Sequence, residues 1–504
     1  MLTPYIKKIL QSRVYDVAEK TRLDYAKNLS NRLHNHIWIK REDMQPVFSF
    51  KIRGAYNKIA NLPADLLAKG VIAVSAGNHA QGVALSATRL KIPAVIVMPT
   101  TTPEIKVRSV RNYGVEVVLH GTTFDEAYQH TQQLMQERAL TFIPPYDDLD
   151  VIAGQGTIGM EILQQHSEPI SAIFVPIGGG GLIAGIAAYV KYCRPEIKMI
   201  GVEPEESACM YQALRAGERV TLAQVGLFAD GVAVKQAGRL PFELARHYVD
   251  DILLVSTDEI CAAIKDIFED TRTVTEPAGA LALAGLKRYV QENNCKSQHL
   301  VTIASGANMN FDRLGYVTER TEIGEKREVL LAVTIPERRG SFREFCHTIG
   351  LRAITEFNYR YADAHDAHVF VGLRLTQGQS EKQQLLAQLA QQGYAVVDMT
   401  DNEMAKLHIR HLVGGHGQGV TDERLYRFEF PERPGALLHF LTTMGHRWNI
   451  SLFHYRNHGA AEGRVLVGIQ VAEAELTEFN AFLQKLAYPS WAEVNNPAYH
   501  LFLQ

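Results

Sequence analysis

From residue 37 to about 310, short apolar runs alternate with longer stretches of helical period: GVIAVSAGNHAQGVALSATRL, PAVIVMP, VEVVLHG, AIFVPIGGGGLIAGIAAYV, KMIGVEPE and HLVTIASGAN. Runs rich in Val, Ile and Ala without polar alternation are typical of strands covered on both faces. Separated by helical stretches, they predict a parallel, doubly wound α/β architecture. Several of the runs end in Gly, Ser or Asn. Ligands of open α/β sheets gather at the carboxyl ends of the strands, so these endings are where chemistry is expected.

The pattern changes at RTEIGEKRE, a charged segment at 320–328 expected to be a linker. Beyond it the chain repeats itself. LAVTIPERRGSFREFCHTIG and ITEFNYRYADAHDAHVFVGLRL in the first copy answer to YRFEFPERPGALLHFLTTMG and ISLFHYRNHGAAEGRVLVGIQV in the second. Pro336 and Pro431 lie 95 residues apart, and Phe357 and Phe453 lie 96 apart. Each copy reads strand, turn, helix, strand, strand, helix, strand, which is the βαββαβ arrangement. VGGHGQGVTDE (413–423) is expected to join the copies as a flexible connector. Three modules result, at 1–322, 328–405 and 424–497.

Composition narrows the function. The 504 residues leave room for about three domains at roughly 150 residues each. With 46% hydrophobic and 21% charged residues, the chain falls among compact soluble proteins. A net charge of −3 provides no basic field for nucleic acid or an anionic membrane, and a small ligand fits better. The N-terminus MLTPYIKKIL has no signal-peptide apolar core and no run reaches the ~18 apolar residues of a membrane span, so a cytoplasmic protein is expected. Cys193, Cys209, Cys261, Cys295 and Cys346 form no CxxC pair, suit a reducing compartment, and are expected as buried thiols.

Against this background SFKIRGA (49–55) is unusual, because Lys51 stands between Phe50 and Ile52. An ammonium in apolar surroundings loses hydration, which lowers its pKa and makes the neutral amine available for a Schiff base. A lysine that extends its head to water is the alternative. GGGGL (178–182) lies between a strand and a helix, where successive backbone N–H groups and the helix dipole can hold a phosphate; a glycine turn required by packing is the alternative. Neither GxGxxG with a distal acid nor GxxxxGK[ST] is present, which weakens nucleotide readings. SAGNHAQG (75–82) offers Ser75, Asn78, His79 and backbone donors for a carboxylate and a ring hydroxyl, or plain helix capping. SGAN (305–308) offers a hydroxyl for a heteroaromatic nitrogen, or is simply a turn.

A reactive amine, an anion nest and two polar strand ends suit pyridoxal phosphate. SFKIRGA, SAGNHAQG, GQGT (154–157), GGGGL and SGAN, in this order, resemble the fold-type II pyridoxal-phosphate enzymes of the serine/threonine dehydratase group. With the two C-terminal repeats, nearly the whole chain is similar to the long, allosteric threonine deaminases. The resemblance implies a catalytic domain like that of the tryptophan synthase β subunit over 1–322. It implies α+β ferredoxin-like, ACT-like regulatory domains over 328–405 and 424–497.

By the same resemblance Lys51 is the Schiff-base lysine and Phe50 packs on the cofactor ring. Asn78 bonds the ring hydroxyl, Gly178, Gly179, Gly180, Gly181 and the Leu182 backbone hold the phosphate, and Ser305 meets the pyridine nitrogen. Ser75, Gly77, Asn78 and His79 bind the substrate carboxylate. The implied reaction is β-elimination from L-threonine to 2-oxobutanoate and ammonia, with L-serine giving pyruvate. Isoleucine is the implied inhibitor, valine the activator, and a homotetramer the assembly. Related racemases carry a serine where this chain has Ala76, which favours elimination. Some relatives hold a cation through a residue placed like Glu203, but Ser207 and Cys209 depart from that pattern, so no metal is expected. The turns Pro336–Gly340 and Pro431–Gly435 are read either as carboxylate sites or as helix caps. Two rival functions are a serine-preferring dehydratase and a non-catalytic amino-acid sensor; the retention of Lys51, Asn78, the glycine loop and Ser305 speaks against the sensor.

Overall fold

The computed structural model describes residues 2–336, 344–345, 348–350, 352, 354–361, 366–411, 422–431, 439–440, 443–445, 447–456 and 462–503. The chain divides into two units, residues 1–310 and 311–504. Among the described residues, ten strands lie in the first: β1 (Leu23–Tyr25), β2 (His36–Arg41), β3 (Val71–Val74), β4 (Ala94–Met98), β5 (Glu116–Leu119), β6 (Thr141–Phe142), β7 (Ala172–Pro176), β8 (Lys198–Pro204), β9 (Asp251–Val255) and β10 (His299–Ala304). They form two sheets, ordered β1-β2-β10-β7-β8-β9 and β5-β4-β3-β6. Every pairing is parallel except that of β1 with β2. The runs VIAV, AVIVM and AIFVP are buried at every position, as strands covered on both faces require. VEVVLHG supplies the edge strand β5, with Glu116 and Leu119 exposed.

The helix Leu149–Gln165 holds the site's two main pieces together. A Cβ on Gly154 would lie 2.7 Å from the Arg53 carbonyl oxygen and 2.8 Å from Gly54 Cα, so this helix crosses the one bearing Lys51 at backbone contact. A Cβ on Gly185 would lie 2.3 Å from the Ile152 carbonyl oxygen, so the helix Gly181–Cys193 crosses it equally closely. GQGT is thus a packing face. Beside it, Arg53 pairs with Glu42 (2.8 Å) and Glu161 (2.6 Å), and Lys40 pairs with Glu161 (2.5 Å), all four side chains fully buried. The Tyr15 and Thr21 hydroxyls donate to Glu161 and Glu42. Two cations and two carboxylates with charge-assisted hydrogen bonds make a closed cluster that ties β2, the lysine helix and Leu149–Gln165 together.

The segment 320–328 is not the linker expected from its charges. Residues 320–324 end the helix Arg313–Gly324, and Glu328 opens a strand. Arg320 is buried, stacks on Tyr316 and pairs with Glu403, so its charge is met by protein rather than water. The repeats follow as β11 (Glu328–Pro336), β12 (Ile354–Tyr361), β13 (Asp366–Arg374) and β14 (Ala395–Asp398), then β15 (Glu423–Pro431), β16 (Asn449–Arg456), β17 (Glu462–Gln470) and β18 (Ser490–Ala492). Their sheets are antiparallel with matching orders, β12-β13-β11-β14 and β16-β17-β15-β18, which is the ferredoxin-like pattern. The same irregularity recurs at Ile354/Glu356 and Ile450/Leu452.

Gly340, Gly435, Cys346, residues 413–421 of the connector and the side chains of Phe357 and Phe453 lie outside the described residues. Cys209 and Cys261 are buried thiols, whereas Cys193 is exposed at a helix end and Cys295 is half-buried, against expectation. No helix among the described residues is long and apolar enough to cross a membrane.

Candidate active site

Lys51 is the first residue of the helix Lys51–Ala60. The segment before it is tied to the end of β10: Ser49 bridges Gly306, and Phe50 N–H donates to the Ser305 carbonyl at 3.2 Å. Lys51 Nζ turns inward, donates to the Pro145 carbonyl at 3.0 Å, and sits 5.2 Å from the Phe50 ring centroid. The surrounding protein desolvates the amine and pushes its pKa down to about 8, against the opposing pull of the Glu276 carboxylate.

The glycine loop follows β7. Gly180 has φ +92°, a conformation open to glycine, and Gly181 begins the next helix. A Cβ on Gly179 would fall 2.3 Å from the Tyr146 ring, one on Gly181 2.9 Å from Tyr146 Cβ, and one on Gly178 3.0 Å from Val232 Cα. Packing therefore also demands glycines here, and the two readings of this loop do not compete. Side chains are excluded on one side while the helix N-terminus presents amides from Gly180 to Leu182.

SAGNHAQG follows β3 and opens the helix Asn78–Leu90. Ser75 Oγ accepts from Gly77 N–H at 3.2 Å, and the space beside Gly77 is open. Asn78 is held at both ends: its Nδ2 donates to Glu276 at 2.5 Å and its Oδ1 accepts from Asn308 Nδ2 at 2.6 Å. The His79 ring is buried, with Nε2 donating to the Ile143 carbonyl at 2.8 Å. Burial and the Lys51 charge push its pKa down to about 3. Ser305 is buried and its hydroxyl donates to the Ala278 carbonyl at 3.1 Å. Lys51, Phe50, Asn78 and Ser305 are linked through Glu276, Gly306 and the strand-end contacts, and Tyr146 next to Pro145 leads to the glycine loop.

Sequence reasoning missed Glu276, Pro145 and Tyr146. Glu276 immediately precedes Pro277 at the start of a helix, where an acidic residue looks like ordinary N-terminal sequence. Glu203, weighed for a cation, is fully buried, and its carboxylate accepts from the N–H groups of Met210 (2.9 Å) and Tyr211 (2.8 Å). Burial raises its pKa to about 7.

The parts fit pyridoxal phosphate: a desolvated amine for the aldehyde, a side-chain-free cradle for the phosphate, an amide for the ring hydroxyl, and a neutral hydroxyl for the pyridine nitrogen. Fold and site define a pyridoxal-phosphate enzyme of fold type II, and residues 14–306 match the family described as pyridoxal-phosphate dependent enzyme. Residues 319–409 and 414–503 each match the C-terminal regulatory domain of threonine dehydratase. The chain is 58% identical over 502 residues to a biosynthetic L-threonine dehydratase of Burkholderia multivorans, covering 99% of each. To that of Escherichia coli it is 54% identical, covering 99% of this chain and 97% of the relative. The structure of a processed threonine deaminase isoform 2 from Solanum lycopersicum matches 64% of this chain and 88% of its own, at 51% identity and a TM-score of 0.63. The chain belongs to the biosynthetic threonine dehydratase family.

Proposed function

We propose that the protein converts L-threonine to 2-oxobutanoate and ammonia, and L-serine to pyruvate and ammonia, by β-elimination. In this reading it performs the first committed step of L-isoleucine biosynthesis, inhibited by isoleucine and activated by valine. The observation that carries the reading is the Lys51 amine, turned inward onto the Pro145 carbonyl and desolvated near the glycine loop, Asn78 and Ser305.

Lys51 would tether pyridoxal phosphate, with Phe50 beside its ring and Asn78 facing its ring hydroxyl. Gly178, Gly179, Gly180, Gly181 and Leu182 would hold the phosphate, and Ser305 would meet the ring nitrogen. When bound, the cofactor supplies an electron-withdrawing ring that acidifies the substrate's Cα–H. The loop of Ser75, Gly77, Asn78 and His79 binds the substrate carboxylate, His79 through its backbone N–H because its ring is occupied by Ile143. Lys51 Nζ would take the Cα proton as general base; a pKa of about 8 leaves part of it neutral near pH 7. The β-hydroxyl would depart as water with one added proton, balancing the proton lost from Cα, and the released enamine would tautomerise to an imine that water hydrolyses to the 2-oxo acid and ammonia. With Ala76 in place of a hydroxyl-bearing residue, no second acid is offered for reprotonation, which favours elimination over racemisation.

We assign residues 1–322 to catalysis and 328–405 and 424–497 to ACT-like regulation, in a cytoplasmic homotetramer. Feedback requires the effector to bind two enzyme states with different affinity, and an oligomer couples them naturally. The test is 2-oxobutanoate formation from threonine with and without isoleucine and valine. Sigmoidal kinetics are expected with isoleucine, and hyperbolic kinetics indifferent to it would refute the regulatory part. Borohydride reduction and peptide mapping should place the pyridoxyl group on Lys51; any other position overturns the site.

A further inference from the structure

One segment beside the site belongs to neither sheet. Between Gly217 and Gly238 the chain makes an irregular excursion whose described helical content is the short turn Asp230–Val232. Its ends are anchored: Leu222 N–H donates to the Lys235 carbonyl at 2.8 Å, and Gly238 N–H donates to the Gly179 carbonyl at 3.0 Å. The turn near its tip lies on the site. A Cβ on Gly231 would be 2.9 Å from Ala278 Cβ and 3.8 Å from both Asn78 Nδ2 and Glu276 Oε1. On the other side, Val232 Cα lies 3.0 Å from where a Gly178 Cβ would stand. One turn thus touches the Asn78 side and the glycine loop together.

The excursion is also tied across the cleft. Lys106, on the helix Glu104–Arg111 that joins β4 to β5 of the smaller sheet, places Nζ 2.6 Å from Asp230 Oδ2. A second, looser contact joins Lys235 to Asp125 at 3.9 Å, on the helix Phe124–Glu137 that follows β5. Both pairs join the irregular excursion to the small-sheet layer. We propose that Lys106 and Asp230 are positioning residues whose ion pair latches segment 226–236 as a strap over the cofactor and substrate cleft. The inference rests on the β-elimination reading above, and deepens it.

In this proposal the turn, seated between Asn78 and the glycine loop, moves aside to admit substrate and returns to exclude water during turnover. A part-exposed pair, with side chains 25% and 32% accessible, biases that equilibrium without freezing it. Such a pair supplies a factor of about two to five, and salt weakens it.

The test uses the cofactor-loaded full chain with K106M, D230N and the charge swap K106D/D230K, with K106R as the conservative control. In each neutralised variant, hydrogen exchange of amides 228–234 should accelerate about twofold to fivefold while the peptide carrying Lys51 exchanges as in the parent. KM for threonine should rise by a similar factor with kcat changed less, and the parent's own rise of KM with salt should flatten. K106R and the swap should restore both readouts towards the parent. Unchanged exchange in K106M and D230N, or changes that neither K106R nor the swap reverses, would overturn the strap. Should one variant fail to fold, K106M against K106R decides alone. A parent that carries the cofactor on Lys51 yet leaves threonine untouched would sink the proposed reaction, and the exchange measurement would still judge the latch.

Discussion

At Lys51 two influences of opposite sign set the amine's proton affinity. Desolvation lowers the pKa, the Glu276 carboxylate pulls it back up, and the balance stands at about 8. The neutral, nucleophilic fraction therefore grows as pH passes about 8, roughly two units earlier than for an ordinary lysine. Capture of pyridoxal phosphate by the cofactor-free protein, followed by visible absorbance, should speed up through that pH and level off above it. Glu276→Gln removes the opposing charge, so the midpoint should move to lower pH; a midpoint moving upward would show that this carboxylate does not act on the amine. Lys51 was legible in the sequence because an ammonium among apolar neighbours is conspicuous. Glu276 was not, because its role comes from Asn78, 198 positions away along the chain. His79 was half-legible: the residue is in the loop, but the sequence cannot show that its ring is spent on Ile143.

Among the elements, the buried strands were read directly from their apolar runs, whereas the helix crossings were not. Gly154 and Gly185 appear in the sequence as two glycines among many, and their importance lies in what faces them. Gly185→Ala would drive a Cβ to 2.3 Å from the Ile152 carbonyl, between two helix backbones that have no flexible side chain to yield. We expect a loss of about 1–3 kcal/mol, measured by thermal or denaturant unfolding, with weaker cofactor retention because the displaced helix carries the glycine loop. Arg53→Met acts differently. It leaves Glu42 and Glu161 buried with Lys40 as their remaining cation in the cluster, and a cost of about 3–5 kcal/mol is expected for a broken buried ion pair. A change below 1 kcal/mol would mean that water enters and solvates the carboxylates. The same physics explains the misread linker. A charge run reads as solvated until its partners are known, and Arg320 has its partner in Glu403, 83 residues further on.

For the second unit as a whole, the repeat was legible because two copies of one pattern stand 95 to 96 residues apart, but the seam between the copies was not. Met399, Met404, Ala405 and Ile409 behind the first sheet share one apolar core with Leu425 and Leu466 of the second sheet, and with Tyr499 and Phe502 behind it. Phe502 meets Phe370 of β13 edge-on, with ring centroids 5.7 Å apart. Asn402 and Asn496 occupy matching places: each caps its own terminal helix, and Asn402 Nδ2 donates to Asn496 Oδ1 at 3.1 Å. These terminal segments fall at or beyond the ends of the recognisable repeats, so pattern alone assigned them no partner. Yet Leu330, Ala332 and Phe370 share their core with the helix Pro497–Phe502, and would lose part of their cover without it. A chain ended after Asn496 should therefore lose the seam while keeping the first unit's core. In calorimetry we expect the second unit to melt at lower temperature, and Phe502→Ala alone to cost about 3–5 kcal/mol of its stability. Isoleucine inhibition should disappear with the seam, while cofactor attachment at Lys51 and threonine turnover persist. A truncated chain with unchanged melting and an intact isoleucine response would show that each copy folds and signals without the other.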